Sequence, residues 1–292
     1  MTHPSNAVSK RPLALCRTWL FAPGLSGIAQ NLAMSSEADV IVADLEEFTG
    51  VADRPEARQQ LPALFAQCRA AGKWAAVRIN VLERDGMDDL RAVIVGAPDA
   101  VFLPHAESAA QIVALDTALT ALESQHGLPA GSTLIVPTLE SAIGVVRTLE
   151  ILAASPRTRA CLLAAEDLSA NLGLERGPDG VELHALRARF VVECIASGTL
   201  PIDCPFNYRD TQAQTADLLW ARRIGVKAKC VVYPEQITLA NALLTPSEAE
   251  VSRAHASVAA FDSGECDPPD YNTARRLLAR HDAFERVHGP QA

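Results

Sequence analysis

The sequence predicts a TIM-type parallel (β/α)8 barrel followed by extra C-terminal helices. Eight short runs are apolar on both faces, as the strands of a fully covered parallel sheet must be. Helical patterns separate them at intervals of roughly 25 to 40 residues. Polar side chains stand at the C-terminal end of nearly every run, the edge at which such barrels gather their chemistry. No GxGxxG follows any run, which weighs against an open dinucleotide-binding sheet.

The elements follow in order. Residues 1–15 (MTHPSNAVSKRPLAL) show no periodicity and carry early Pro and Ser, so they read as a loose arm before a barrel domain over 16–244. The first three strands are RTWLFAP (17–23), DVIVADL (39–45) and WAAVRIN (74–80). Between the second and third, EARQQLPALFAQCRAAG reads as a helix closed by Gly72, since glycine readily takes the left-handed conformation of a helix C-cap. AVFLPH (100–105) is the fourth strand and leads to a helix ending at Gly127. TLIVPTL (133–139) is the fifth, followed by SAIGVVRTLEILAAS, which Pro156 stops. ACLLAAE (160–166), LPIDCPF (200–206) and KCVVYP (229–234) complete the eight, with helices closed by Gly198 and Gly225 between them. ITLANALL gives one more helix. TPSE, from Thr245 to Glu248, then reads as a capping box with Thr245 as N-cap. The region 245–292 is expected to hold helices that cover the barrel mouth or pack on a neighbouring subunit.

Composition narrows the class. At 292 residues the chain suits a single barrel, which commonly reaches about 250. Hydrophobic residues make up 49%, ample for a core. A net charge of −9 and only four lysines argue against nucleic-acid partners, because phosphate binding needs a dense basic patch. No apolar run approaches the ~20 residues of a membrane helix and no hydrophobic secretion segment opens the chain, so no membrane partner and a cytoplasmic location are expected. Seven cysteines form no CxxC pair, and a disulfide framework or zinc site is not expected.

The polar strand ends define the candidate site. Asp44 and Glu46 follow the second run, Arg78 and Asn80 the third, His105 the fourth and Glu140 the fifth. Glu166 and Asp167 end the sixth, Asn207 and Arg209 follow the seventh, and Tyr233 the eighth. Carboxylates converging from three strands repel one another unless a cation lies among them. Oxygen ligands without a His/Cys pairing favour Mg2+, with Mn2+ as a substitute. Mg2+ takes one or two carboxylates and leaves its other positions to waters and substrate, and Glu140 and Asp167 are the expected two.

Each assignment has a plainer counterpart. Glu140 and Asp167 would also serve as N-caps or first-turn acids of the helices that follow. Glu166 should face away from Asp167 if both lie in a strand, which gives it a supporting role. Arg78 could form a rim salt bridge to Asp44 or Glu46, and His105 a rim hydrogen bond or a substrate contact. Tyr233 reads as structural. Asp267 before two prolines is a standard helix start. A Schiff-base aldolase would need a lysine inside the barrel, and Lys229 is the candidate. A non-catalytic subunit is a further alternative.

The motifs RTWLFAPG, ADVIVADLEE, AVRIN, VFLPHAES, PTLESA, AAEDLSANLG, YRD and GVKAKCVVYPEQI occur in this order. Together they resemble the citrate lyase beta-subunit family of magnesium-dependent carbon–carbon lyases, which includes citryl-CoA, malyl-CoA and citramalyl-CoA lyases. The resemblance covers about residues 17–280. It implies metal ligation by Glu140 and Asp167, substrate binding by Arg78, and an acidic pair near the metal waters at Asp44 and Glu46. It also implies a catalytic Asp267 delivered from a neighbouring subunit in a trimer or hexamer.

The reaction implied is retro-Claisen or retro-aldol cleavage of a hydroxy acyl-CoA thioester or related hydroxy acid. It would release or use a 2-oxo acid such as oxaloacetate, pyruvate or glyoxylate. Mg2+ would polarise the carbonyl, Arg78 would hold the substrate carboxylate or enolate, and Asp267 would take a proton from the acyl-CoA methyl in the condensation direction. The chain departs from the family pattern in four places. His105 replaces a Lys, Tyr233 replaces a His, Glu47 replaces an Asp, and the segment before Asp267 is short.

Overall fold

The computed structural model describes residues 10–287. Eight parallel strands close into a barrel in sequential order: β1 (Thr18–Pro23), β2 (Val40–Asp44), β3 (Trp74–Arg78), β4 (Ala100–Leu103), β5 (Leu134–Leu139), β6 (Ala160–Leu163), β7 (Leu200–Asp203) and β8 (Ala228–Val231). The helices within the barrel are α1 (Gly27–Ser35), α2 (Arg54–Ala70), α3 (Met87–Val93), α4 (Ala109–Gln125), α5 (Ala142–Val146), α6 (Thr148–Ala153), α7 (Ala165–Leu172), α8 (His184–Ala196), α9 (Thr211–Arg223) and α10 (Ile237–Leu244). Two more, α11 (Glu248–Asp262) and α12 (Pro268–Val287), follow it.

Alternation of side chains along each strand makes two cores. Trp19, Phe21, Val42, Ala76, Phe102 and Cys230 fill the barrel interior, while Leu20, Ile41, Val77, Val101 and Ile135 face the helices. In the interior Phe102 meets Trp19 and Phe21 edge-on, with centroids 5.7 and 5.3 Å away. The register aligns Pro23, Asp44 and Arg78 across β1, β2 and β3, so the third strand delivers its arginine beside the second strand's aspartate.

Several expectations need correction. The sixth strand ends at Leu163, and Glu166 and Asp167 lie in the first turn of α7. They are therefore about 100° apart around a helix, and the opposite-face argument that assumed a strand does not apply. The helix expected over 141–155 is two pieces meeting at Arg147. The N-cap of α11 is Ser247, whose side chain accepts from Glu250 N while the Glu250 carboxylate reaches back. Thr245 instead closes α10, accepting from Arg17 Nη1 at 3.0 Å.

Of the expected loose arm, residues 1–9 lie outside those described, and 10–15 are docked. Lys10 binds Asp99, a short 3-10 turn spans Leu13–Leu15, and Leu15 is buried. The C-terminal helices do not cover this chain's own mouth. Arg280 of α12 donates to Ala14 O at 2.8 Å, and Phe284 lies against Arg11 and Arg17, all at the end where β1 begins.

Candidate active site at the barrel mouth

The rim is built around Asp44. Its buried carboxylate accepts N–H donors from Glu46 and Phe48, both at 2.9 Å, which folds the loop after β2 over the strand end. The same carboxylate takes Arg78 Nε at 2.8 Å and Nη2 at 2.5 Å in a two-pronged pair. Arg78 Nη2 also reaches Glu47 at 2.8 Å, Nη1 lies 3.3 Å from Glu46, and the guanidinium rests 5.3 Å from the Phe21 ring centroid. Burial works against the charge of Arg78, which is only 5% exposed. The hydrogen bonds and charge of Asp44 more than offset this and hold its pKa above the ordinary arginine value. The ion pair with Asp44 and Glu46 is thus present, on a cation whose face still lines the cavity.

Across the mouth, Glu140 follows β5 and is 3% exposed. Ser141 caps α5, its hydroxyl accepting from Gly144 N at 3.2 Å and donating to Glu107 at 2.6 Å. Gly144 permits this packing, because a Cβ there would sit 2.7 Å from Ala106 O. Glu140 Oε1 accepts both the backbone N–H and the ring Nδ1 of His105, the latter at 3.0 Å. His105 adopts φ 49°, an uncommon left-handed conformation for a non-glycine residue, and this brings both donors to one oxygen. The hydrogen bond to Glu140 raises the His105 pKa to about 9, against partial burial and with help from the charges of Glu140, Glu46 and Asp167.

Asp167 faces the same space. Partial desolvation raises its pKa first, and the charges of Glu140 and Glu47 raise it further. Glu46 is raised in the same way, by burial and by Asp44, Glu140 and Glu47, with Arg78 opposing. Five carboxylates (Asp44, Glu46, Glu47, Glu140 and Asp167) therefore share two cations, Arg78 and His105. This excess of negative charge, supplied by oxygens alone, fits a hard divalent cation held by Glu140 and Asp167, with waters and substrate completing its shell. Arg78, Asp167, Glu47, Cys230 and Tyr233 are among the residues lining a cavity of about 600 Å3.

Not every candidate joins this group. Glu166 turns to Arg176 at 3.0 Å and to Asn207 at 2.5 Å, tying the loop after β7 to α7. Arg209 pairs with Glu235 and stacks 4.2 Å from the Tyr233 centroid at the cavity rim. Asp267 caps α12, accepting from Asp270 N at 2.9 Å, and does not line this chain's mouth.

Lys229 does not serve the Schiff-base alternative. It is buried outside the barrel interior, 2.7 Å from both Asp203 and Asp217, which also hold Arg187. Those charges overcome burial and raise its pKa, so it is a protonated structural cation and no Schiff-base nucleophile. Reading the sequence missed Phe48, Tyr208 and Cys230 as lining residues, and it treated Glu47 only as a departure from a pattern although it binds Arg78 directly.

Among the described residues, no helix is long and apolar enough to cross a membrane. The profile of the HpcH/HpaI aldolase/citrate lyase family matches residues 17–234. The chain is 32% identical over 281 residues to the L-malyl-CoA/beta-methylmalyl-CoA lyase of Rhodobacter capsulatus, covering 88% of this chain and 87% of that protein. It is 28% identical over 291 residues to citrate lyase subunit beta of Escherichia coli (strain K12), covering 94% and 96%. Among solved structures it is similar to CitE from Mycobacterium tuberculosis in complex with magnesium, acetoacetate and coenzyme A. That likeness has a TM-score of 0.73 at 27% identity over 92% of this chain and 100% of the other. The barrel, the ordered motifs and these likenesses agree: the chain belongs to the HpcH/HpaI aldolase/citrate lyase family and is a carbon–carbon lyase.

Proposed function

We propose that the chain cleaves a hydroxy acyl-CoA thioester to a 2-oxo acid and a shorter acyl-CoA, with Mg2+ held by Glu140 and Asp167. The observation that carries this reading is the opposition of Arg78 to Asp167 across one cavity, with the Glu140 carboxylate near enough to raise the Asp167 pKa. The names of the relatives, which act on malyl-CoA and citrate, point the same way.

In cleavage the substrate hydroxyl loses its proton and the adjacent carbon–carbon bond breaks. The electron pair passes to the thioester carbonyl as an enolate, the hydroxyl carbon becomes the ketone of the 2-oxo acid, and the enolate then takes a proton. Mg2+, when bound, would polarise the hydroxyl and nascent ketone.

The chain's own residues do the rest. Arg78, fixed in place by Asp44, offers a permanent cation to a substrate carboxylate or the enolate oxygen. The N-terminus of α7 has no side-chain cap, so its first N–H groups are free to dock a carboxylate. His105 pins one oxygen of Glu140. Phe21, Leu162 and Cys230 form an apolar floor that limits water. Asp267 enters this chemistry only from a neighbouring copy.

The test is direct. The protein is incubated with malyl-, citramalyl- and citryl-CoA, with Mg2+ or with EDTA, and the acyl-CoA products are separated chromatographically. Cleavage of at least one thioester that EDTA abolishes is expected. A folded protein that cleaves none of them would favour the non-catalytic alternative.

A further inference from the structure

A second cavity lies at the opposite end of the barrel. It has a volume of about 470 Å3 and sits among the C-terminal end of α9, the start of β8, the α10–α11 junction and α12. Its wall carries Arg222, Arg223, Lys227, Arg276 and Arg280. Lys227 precedes β8 whereas Tyr233 at the mouth follows it, so the two cavities stand up to roughly 20 Å apart along that strand.

The charge here is only partly compensated. Arg222 pairs with Glu250, but among the described residues no carboxylate pairs with Arg223, Lys227 or Arg276. Arg280 donates Nη1 to Ala14 O, while its Nε and Nη2 are buried and find no acceptor among the described residues. Burial lowers the Arg280 pKa to about 10, helped by the charges of Arg17 and Arg11. Partial desolvation also lowers that of Lys227, although the side chain stays exposed, and Arg280 and Arg222 add to the shift. These cations repel one another on a chain whose net charge is −9. A concave group of like charges focuses the field and raises the local concentration of anions. Planar guanidinium forks match phosphate oxygens two at a time. Leu244 and Leu277 add an apolar wall against which a carbon skeleton can lie.

We propose that this cavity binds a small organic polyphosphate, at a site separate from the active-site mouth. The proposal does not depend on the lyase reading, because it uses no residue of the mouth.

The test is calorimetric titration of the whole protein with inorganic pyrophosphate at low ionic strength, about 20 mM, where screening is weak. The protein is compared with Lys227→Glu/Arg276→Glu and with Glu140→Gln. Both basic positions are exposed, so the double variant is expected to fold, which circular dichroism checks. Saturable binding is expected, weakened at least tenfold in the double variant and unchanged in Glu140→Gln. No saturable binding, or binding lost with Glu140→Gln and kept in the double variant, overturns the proposal. Equal affinity for citrate overturns the assignment to phosphate. A change in oligomeric mass of the double variant with no pyrophosphate binding assigns the cavity to an acidic surface of a second copy instead.

Discussion

Replacing Arg78 with lysine is the most informative perturbation of the rim. The guanidinium makes two hydrogen bonds to the buried Asp44, one to Glu47 and an ion pair with Glu46. A lysine ammonium keeps the charge but is a single point, and it would satisfy only one oxygen of Asp44 together with one other acceptor. One charge-assisted bond to a fully buried carboxylate is then lost, which costs about 1.5 to 3 kcal/mol. Because Asp44 also organises the N–H groups of Glu46 and Phe48, the loss should loosen that loop. Urea denaturation should register a fall of about 2 to 3 kcal/mol. Removing a pre-aligned donor from the developing negative charge should lower kcat for thioester cleavage by about 10^2 to 10^3. A lysine variant that keeps both its urea midpoint and its kcat within a factor of three would show that the two-pronged geometry is irrelevant.

Four further outcomes follow from the structure. Lys229→Met leaves Asp203 and Asp217 short of one buried cation and should cost about 3 to 5 kcal/mol. Borohydride treatment of the native protein with a 2-oxo acid should give no adduct on Lys229 by mass spectrometry, and an adduct would revive the Schiff-base mechanism. Glu123 is buried, which would raise its pKa, but Arg157 and the N–H groups of Thr133 and Gly131 lower it from 4.5 to about 2. Its folded pKa lies below the unfolded one, so its contribution of about 3 kcal/mol is complete above pH 4.5 and is lost as pH falls towards 2. Urea midpoints across that window should lose most of this slope in Glu123→Gln. Finally, if Asp267 acts across subunits, mixing the Asp267→Ala and Glu140→Gln proteins under subunit exchange should restore part of the activity that each lacks. Recovery of none would leave Asp267 as a helix cap alone.

The barrel was legible because strands buried on two faces must be largely apolar, and these eight runs are, with few interruptions such as Asp203 and Lys229. Their ends were less so. Ala164 and Ala165 continue the apolar run yet favour helix, and the acids after them, favourable in a helix's first turn, mark the switch at β6. The capping box was displaced by two residues because TPSE and SEAE overlap in sequence. The choice falls to Ser247 since Arg17, far away in the chain, engages Thr245. The helices α1 and α3 were missed, being short pieces between stronger strand signals. Positions of Glu140 and Arg78 followed from their strand ends, whereas Asp167 lies in the helix turn beyond its strand. The double grip of His105 on Glu140 depends on a left-handed backbone that no residue pattern announces. The burial and pairing of Lys229 were not legible, because the two aspartates that claim it come from β7 and α9.

The central claim, that Glu140 and Asp167 hold the catalytic cation, is tested most directly by a crystal soaked in Mn2+ with a 2-oxo acid, measured for anomalous scattering. The account predicts one strong peak between these two carboxylates, absent in Glu140→Gln. A peak only at Cys266, Asp267 and Asp270, the one cluster of three close ligand atoms among the described residues, or no peak in the mouth at all, would contradict it.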